Sequence, residues 1–345
     1  METKEITKKC IGAIDGRPVT GYQLTNNNGM SVEVADYGAI MLKLCLNGTD
    51  VTLGHLAIED YKINKGHLGS IVAPNANRIA RGEVSIEGKL YQLQKNDHGI
   101  NNLHTHTTDV SDKKFLTAGI EGNRLQLSCD FADGEAGLPG NRHFTVEYEL
   151  NDDNQLILTY QMSTDKTTLF NPTCHSYFNL AGHDSGSVFD HLLKLEADNF
   201  TPVDELSIPT GEIRPVAGTP FDFRQFKPVG RDFSLEDRQL GYTQGYDHNW
   251  VINDYDGSLR LFAQLVDPHS GRRMRCYTTM PGVQFYSANY LNDDRAKDGG
   301  AYRAHDGLCL ETQFYPDSIH HENFPQPLLK AGETGCYRTV YEFEF

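Results

Sequence analysis

Apolar and polar residues trade places at every second position through several long stretches of this chain. Leu125, Leu127, Cys129 and Phe131 form one such run, and Phe144, Val146, Tyr148 and Leu150 form the next. Leu156, Leu158, Tyr160 and Met162 follow, and the C-terminus repeats the pattern through Tyr337, Thr339, Tyr341, Phe343 and Phe345. On a strand successive side chains point to opposite faces, so a period of two buries one face and wets the other. A helix cannot use that pattern. Turn chemistry separates the runs: "EGNR" (121–124), "DGEAGLPGN" (133–141), "NDDNQ" (151–155) and "VDPHSGRR" (266–273). "LNDDNQL" (150–156), between two alternating runs, reads as a β-hairpin turn. Helical periodicity is confined to "SLEDRQLG" (234–241), which predicts one short helix. No repeat of fixed period and no low-complexity linker interrupts the chain. The expectation is an all-β protein, a large two-layer antiparallel β-sandwich forming a single domain over residues 1–345.

Composition narrows the function. The 31 basic and 47 acidic residues leave a net charge of −16. That balance opposes nucleic-acid binding, which needs clustered Lys and Arg, and docking on anionic membranes. The N-terminal stretch "METKEITKKCIGAIDG" has no apolar signal-like core, and no window approaches the length of a membrane span. The seven cysteines, at 10, 45, 129, 174, 276, 309 and 336, are odd in number, widely spaced and free of any C-x-x-C. This is the pattern of a reduced, cytoplasmic protein rather than of a disulfide or zinc framework.

Five stretches concentrate polar and aromatic groups: "NANRIARG" (75–82), "NNLHTHTT" (101–108), "FNPTCHSYFNLAGH" (170–183), "GYDHNW" (245–250) and "GLCLETQFYPD" (307–317). Each has a bland reading and a functional one. Arg78 is a surface arginine or an anchor for a ligand. His104 and His106, two apart, would share a strand face and could hold a metal, but no cysteine or carboxylate lies nearby at ligand spacing, so no metal is expected. Asp247 begins an Asx turn or joins Trp250 in a sugar-facing surface. His175 is a satisfied core histidine, a metal ligand or a proton donor. Glu311 interrupts an otherwise buried strand, and a glutamate in such a place is paired or has its ionisation put to use. Phosphate loops of the G-x-x-x-x-G-K type and G-x-S-x-G elbows are both missing. The inventory suits a neutral, hydroxyl-rich ligand, with a carboxylate and an imidazole able to move protons near neutral pH.

At these residues the sequence resembles the galactose mutarotase (aldose 1-epimerase) family. "NANRIARG", "GINNLH", "DGEAGLPGN" and "NPTCHSYFNLAG" match its motifs in order, as do "GTPFDFR", "GYDHNW", "TTMPGVQFYSANYL" and "GLCLETQFYPDS". The resemblance implies a large antiparallel supersandwich with few short helices and a sugar cleft on a concave face. It implies Glu311 as general base and His175 as general acid. His104 would serve the ring-oxygen side of the sugar. Arg78, Asn77 and Asp247 would bind hydroxyls, and Gln284 would line the cleft. The implied substrate is a free hexose, galactose and glucose first, with no cofactor and no metal, in a monomer or homodimer. Other readings stay open on the same residues: a non-catalytic carbohydrate-binding protein, an epimerase for a different or phosphorylated sugar, or a glycoside-acting enzyme pairing Asp247 with Glu311.

The chain departs from the family pattern in one region. Ala73-Pro74 replaces Gly-Arg, His104-Thr105-His106 replaces His-Gly-Gly, and "TTDVSDKKFLTA" (107–118) lacks the usual Gly-Phe and Trp. The expectation is an altered cleft wall that bears on sugar preference. A neighbouring carboxylate is also expected to raise the pKa of His175 and keep it protonated.

Overall fold

The computed structural model describes residues 5–105 and 116–345. The predicted alternation becomes the long strands of a nine-stranded antiparallel sheet that includes Arg124–Phe131, Arg142–Leu150, Gln155–Thr164 and Thr334–Glu344. Leu125, Leu127, Phe144, Val146, Tyr148, Leu156, Leu158 and Met162 are each 0 % exposed, while Cys129, Tyr337 and Phe345 on the same apolar face are half-buried. The hairpin predicted at 150–156 forms with Leu150 opposite Leu156. Asn151 closes it, its side-chain oxygen accepting from the Gln155 amide at 3.0 Å.

A five-stranded sheet at the N-terminus runs from Thr7 to Asp50. A second five-stranded sheet is ordered Arg214–Pro215, Asn199–Thr201, Asp247–Val251, Gly282–Tyr286, Cys309–Gln313. One continuous core joins all three sheets: Leu24, Val32 and Leu44 from the first, Phe200, Trp250, Val283 and Leu310 from the second, and the alternating residues of the nine-stranded sheet. The hydrophobic gain of burying that face is roughly 25 cal/mol per Å² of apolar surface, and it fixes the register of every strand it includes.

The one α-helix among the described residues is Arg238–Thr243, four residues later than the sequence pattern placed its start. Asp237 sets the boundary. Its carboxylate accepts from the amides of Gln239 (2.9 Å) and Leu240 (3.1 Å), satisfying two of the helix's otherwise unpaired donors. Ser234 instead accepts from the Glu236 amide in a preceding turn. Among the described residues no helix is long and apolar enough to cross a membrane. All seven cysteines are free thiols.

Candidate active site

Adjacent strands of the second five-stranded sheet deliver the polar groups. On Cys309–Gln313 the side chains alternate, so Leu310 enters the main core while Cys309 and Glu311 share the opposite face. The short strand Thr173–His175 pairs with Ser70–Val72 and brings His175 beside Glu311. Asp247 begins the strand that pairs with Gly282–Tyr286, itself paired with Cys309–Gln313.

The loops that carry Arg78 and His104 are tied to each other. The His104 amide donates to the Asn77 carbonyl (3.0 Å), and the Asn77 amide donates to His104 Nδ1 (3.1 Å). Asn77 and His104 both have positive φ, 61° and 57°, a backbone costly for side-chain-bearing residues and held here by these mutual bonds. Asp317 fixes the same turn from the other side, its carboxylate accepting from the Ala80 amide at 2.8 Å.

These elements enclose a cleft of about 300 Å³. Glu311, His175, His104, Arg78, Asn77 and Asp247 line it. Gln284 does not. It lies behind the wall, where its Nε2 donates to Asp247 Oδ1 (2.7 Å) and its Oε1 accepts from Gln313 (3.2 Å). Its contact with the cleft is indirect, through the Asp247 carboxylate. Trp250 is fully buried and donates its indole N–H to the Phe221 carbonyl, so it belongs to the core and faces no ligand.

The cleft wall also differs from expectation. Ala73 packs in the main core, and the Thr105 hydroxyl is spent on the Asn75 carbonyl at 2.7 Å. Neither Ala73, Pro74 nor Thr105 lines the cleft. His106 and residues 107–115 lie outside the described residues. Lys65, Gly66 and His67, a stretch the sequence reading passed over, line part of the cleft instead. The His67 ring lies 4.9 Å from that of His104 and 5.7 Å from that of His175. "NKGHLG" reads as an ordinary exposed turn, and nothing local marks His67 as a cleft residue.

His175 Nε2 stands 3.6 Å from Glu311 Oε1, and both residues are buried. Glu311 Oε2 is buried with no hydrogen-bond partner. Burial holds both groups away from their charged forms. It lowers the His175 pKa to about 3, helped by the nearby His67, and raises that of Glu311 well above the carboxylate range, helped by Asp247 and opposed by Arg78. The expectation of a raised imidazole pKa is thus reversed, because desolvation dominates. Arg78 is treated differently. Burial works against its charge, but Asp247 (3.6 Å) and Asp97 (3.2 Å) more than offset this and raise its pKa.

His104, His175 and Glu311 place ligand atoms within 4.8 Å of one another, a spacing that a divalent cation could use. The hydrogen bonds point elsewhere. His104 Nδ1 accepts from a backbone amide, so the ring's proton is on Nε2. That nitrogen offers an N–H to an oxygen atom, not a lone pair to a metal.

The model of the family described as "Aldose 1-epimerase" matches residues 21–342. The chain belongs to the aldose 1-epimerase family. It is 38 % identical to galactose mutarotase of Mus musculus, with 98 % of each chain covered. It is 34 % identical to aldose 1-epimerase of Escherichia coli (strain K12), with 96 % of this chain and 97 % of the relative covered. Among solved structures it matches galactose 1-epimerase from Lactobacillus acidophilus with a TM-score of 0.86 at 28 % identity, covering 99 % of this chain and 98 % of that one. The aldose epimerase homologue from C. elegans gives the same TM-score at 29 % identity, covering 94 % and 98 %. The family's fold therefore accounts for nearly the whole chain, including every strand that lines the cleft.

Proposed function

We propose that this protein interconverts the α and β anomers of free aldohexoses, with Glu311 and His175 as the proton-exchanging pair. The observation that carries the reading is the 3.6 Å approach of His175 Nε2 to Glu311 Oε1 on the wall of a cleft also lined by Arg78, Asp247 and His104. Asp247, Arg78 and Asn77 bind hydroxyls. The Nε2–H of His104 points to the ring-oxygen side. The described residues that line the cleft fit a single domain acting as a monomer or within a homodimer. The seven free thiols fit a cytoplasmic setting.

The reaction needs one base and one acid. Glu311 as carboxylate takes the proton from the C1 hydroxyl while His175 as imidazolium gives one to the ring oxygen. The C1–O5 bond breaks and a free aldehyde forms. Rotation about C1–C2 presents the other carbonyl face. The neutral imidazole then takes the proton from the C5 hydroxyl, the carboxylic acid protonates the carbonyl oxygen, and the ring recloses. Protons balance at each stage, and no electrons are gained or lost. Each positioned transfer contributes about 10²–10⁴-fold.

The burial of the pair has a place in this scheme. Imidazolium with carboxylate and imidazole with carboxylic acid hold the same number of protons. The cleft favours the uncharged arrangement, which is the one that accompanies the open-chain aldehyde.

The test is direct. Freshly dissolved α-D-galactose or α-D-glucose is followed by optical rotation with and without catalytic amounts of protein. The expected result is faster approach to the same anomeric equilibrium. Binding of the sugar without acceleration would leave a carbohydrate-binding protein, and release of reducing ends from a glycoside would make the pair hydrolytic.

A further inference from the structure

We infer that Cys309 is a positioning residue for the proton chemistry: its sulfur accepts a hydrogen bond from Nδ1–H of His175 and so reserves Nε2 for exchange with the sugar. This rests on the reading of His175 as the acid.

Four rings fix the His175 imidazole. Tyr177 and His67 are tilted to it, both at 31°, with centroids 5.1 and 5.7 Å away. His104 and Tyr286 meet it edge-on at 5.4 and 6.1 Å. The ring's two nitrogens then meet two atoms of one strand. Nε2 faces Glu311 Oε1 at 3.6 Å, and Nδ1 faces Cys309 Sγ at 3.5 Å. Cys309 and Glu311 are two residues apart on the same face, so the pleat of a single strand spaces both partners.

The chemistry fixes the direction of the bond. During turnover the imidazolium gives its Nε2 proton to the ring oxygen, and the same nitrogen later takes a proton back. Nδ1 keeps its hydrogen throughout. The neutral ring must therefore be the Nδ1–H tautomer, with the Nε2 lone pair toward the sugar. In the other tautomer Nε2 carries the hydrogen and cannot act as base, so reclosure waits on a tautomer change. An acceptor beside Nδ1 selects the productive form.

Sulfur does this without adding charge. It is a weak acceptor, and burial together with neighbouring Glu311 raises the Cys309 thiol well above its usual range, so it stays protonated. A carboxylate in its place would hold the tautomer more strongly but would also stabilise the imidazolium and blunt it as an acid.

The experiment combines a spectroscopic readout with kinetics on the full chain. Long-range ¹H–¹⁵N correlation of ¹⁵N-histidine-labelled wild-type protein without sugar should show His175 as the Nδ1–H tautomer. In Cys309→Ala a share of the Nε2–H form should emerge, and kcat for galactose mutarotation should fall about fivefold to tenfold, the worth of one hydrogen bond, with KM within twofold. Cys309→Ser, whose hydroxyl can accept the same bond, should recover most of kcat. An Nε2–H tautomer in the wild type would overturn the inference, even if neither variant folds. So would wild-type kcat in Cys309→Ala, or a serine variant no better than alanine. Absence of mutarotation in the wild type would instead remove the catalytic reading, while the tautomer measurement would still decide the contact.

Discussion

Lys297 and Asp50 form one buried cation–anion pair in this chain, and His175 and Glu311 form a second candidate pair. The first is closed. Lys297 Nζ donates to Asp50 Oδ2 (2.7 Å) and to the Thr52 carbonyl (2.6 Å), and Asp50 Oδ1 accepts from the amide and hydroxyl of Thr52 at 3.1 and 3.0 Å. The second is open. Its nearest polar atoms are 3.6 Å apart, and one carboxylate oxygen is buried without a partner. A buried charge that serves the fold has its hydrogen-bonding capacity used up. A group that must bind and release protons on a ligand keeps capacity in reserve.

Breaking each pair in turn sharpens the contrast, and the largest effects come from the groups themselves. Glu311→Gln should lower kcat by about 10³-fold or more. At pH 8 it should be at least as stable as the wild type in thermal melts. The sign follows from the raised pKa. Stability from a carboxyl kept neutral by the fold is full below its unfolded pKa and is lost as pH rises, and glutamine avoids that loss. Lys297→Met should do the reverse, costing about 1.5–3 kcal/mol of stability because Asp50 loses its cation and keeps only its neutral donors, Thr52 among them, with kcat preserved in the folded fraction. Equal effects of the two substitutions on rate and on melting would erase the distinction.

A smaller effect concerns acid. The His175 pKa is lowered to about 3 from an ordinary 6.5, so the unfolded chain takes up its proton first as pH falls. Stability from this group is complete above about 6.5 and declines toward pH 3, by up to about 1.4 kcal/mol per pH unit. His175→Asn should flatten that decline in urea denaturation midpoints measured across the interval. Parallel curves for wild type and variant would mean that the imidazole is not held neutral by the fold. The smallest effect is expected from Gln284→Ala, which frees Asp247 from one hydrogen bond. KM should rise about fivefold with little change in kcat, as read from galactose saturation curves. A loss confined to kcat would move Gln284 into the chemistry.

The strands were legible in sequence because burial on one face imposes a period that no other structure explains. Leu125 to Phe131 and Leu156 to Met162 behave as that period requires. Glu311 was legible for a related reason, as a carboxylate where the pattern demands an apolar residue. The weights of the cleft were harder to read. His67 is brought to His175 by a turn whose own residues carry no periodicity. Trp250 was left ambiguous because an indole beside Asp and Asn fits a sugar platform and a core strand equally well, and only the pairing of its strand decides. Ala73, Pro74 and Thr105 looked like a wall because they neighbour Arg78 and His104 in sequence. Backbone tied by the Asn77–His104 bonds turns them inward instead. The neutral state of His175 was beyond local reading, since desolvation is a property of everything packed around the ring.

The placement of Lys65, Gly66 and His67 on a loop, while Glu311 and Cys309 stand on a paired strand of the second five-stranded sheet, separates two kinds of evolvability. The proton-handling atoms are anchored by the sheet ladder and tolerate little drift. On the loop facing them, exposed Lys65 can be exchanged with small consequence for folding, while His67 is held against His175. New sugar preferences can therefore arise by mutation there while the reaction itself is inherited intact.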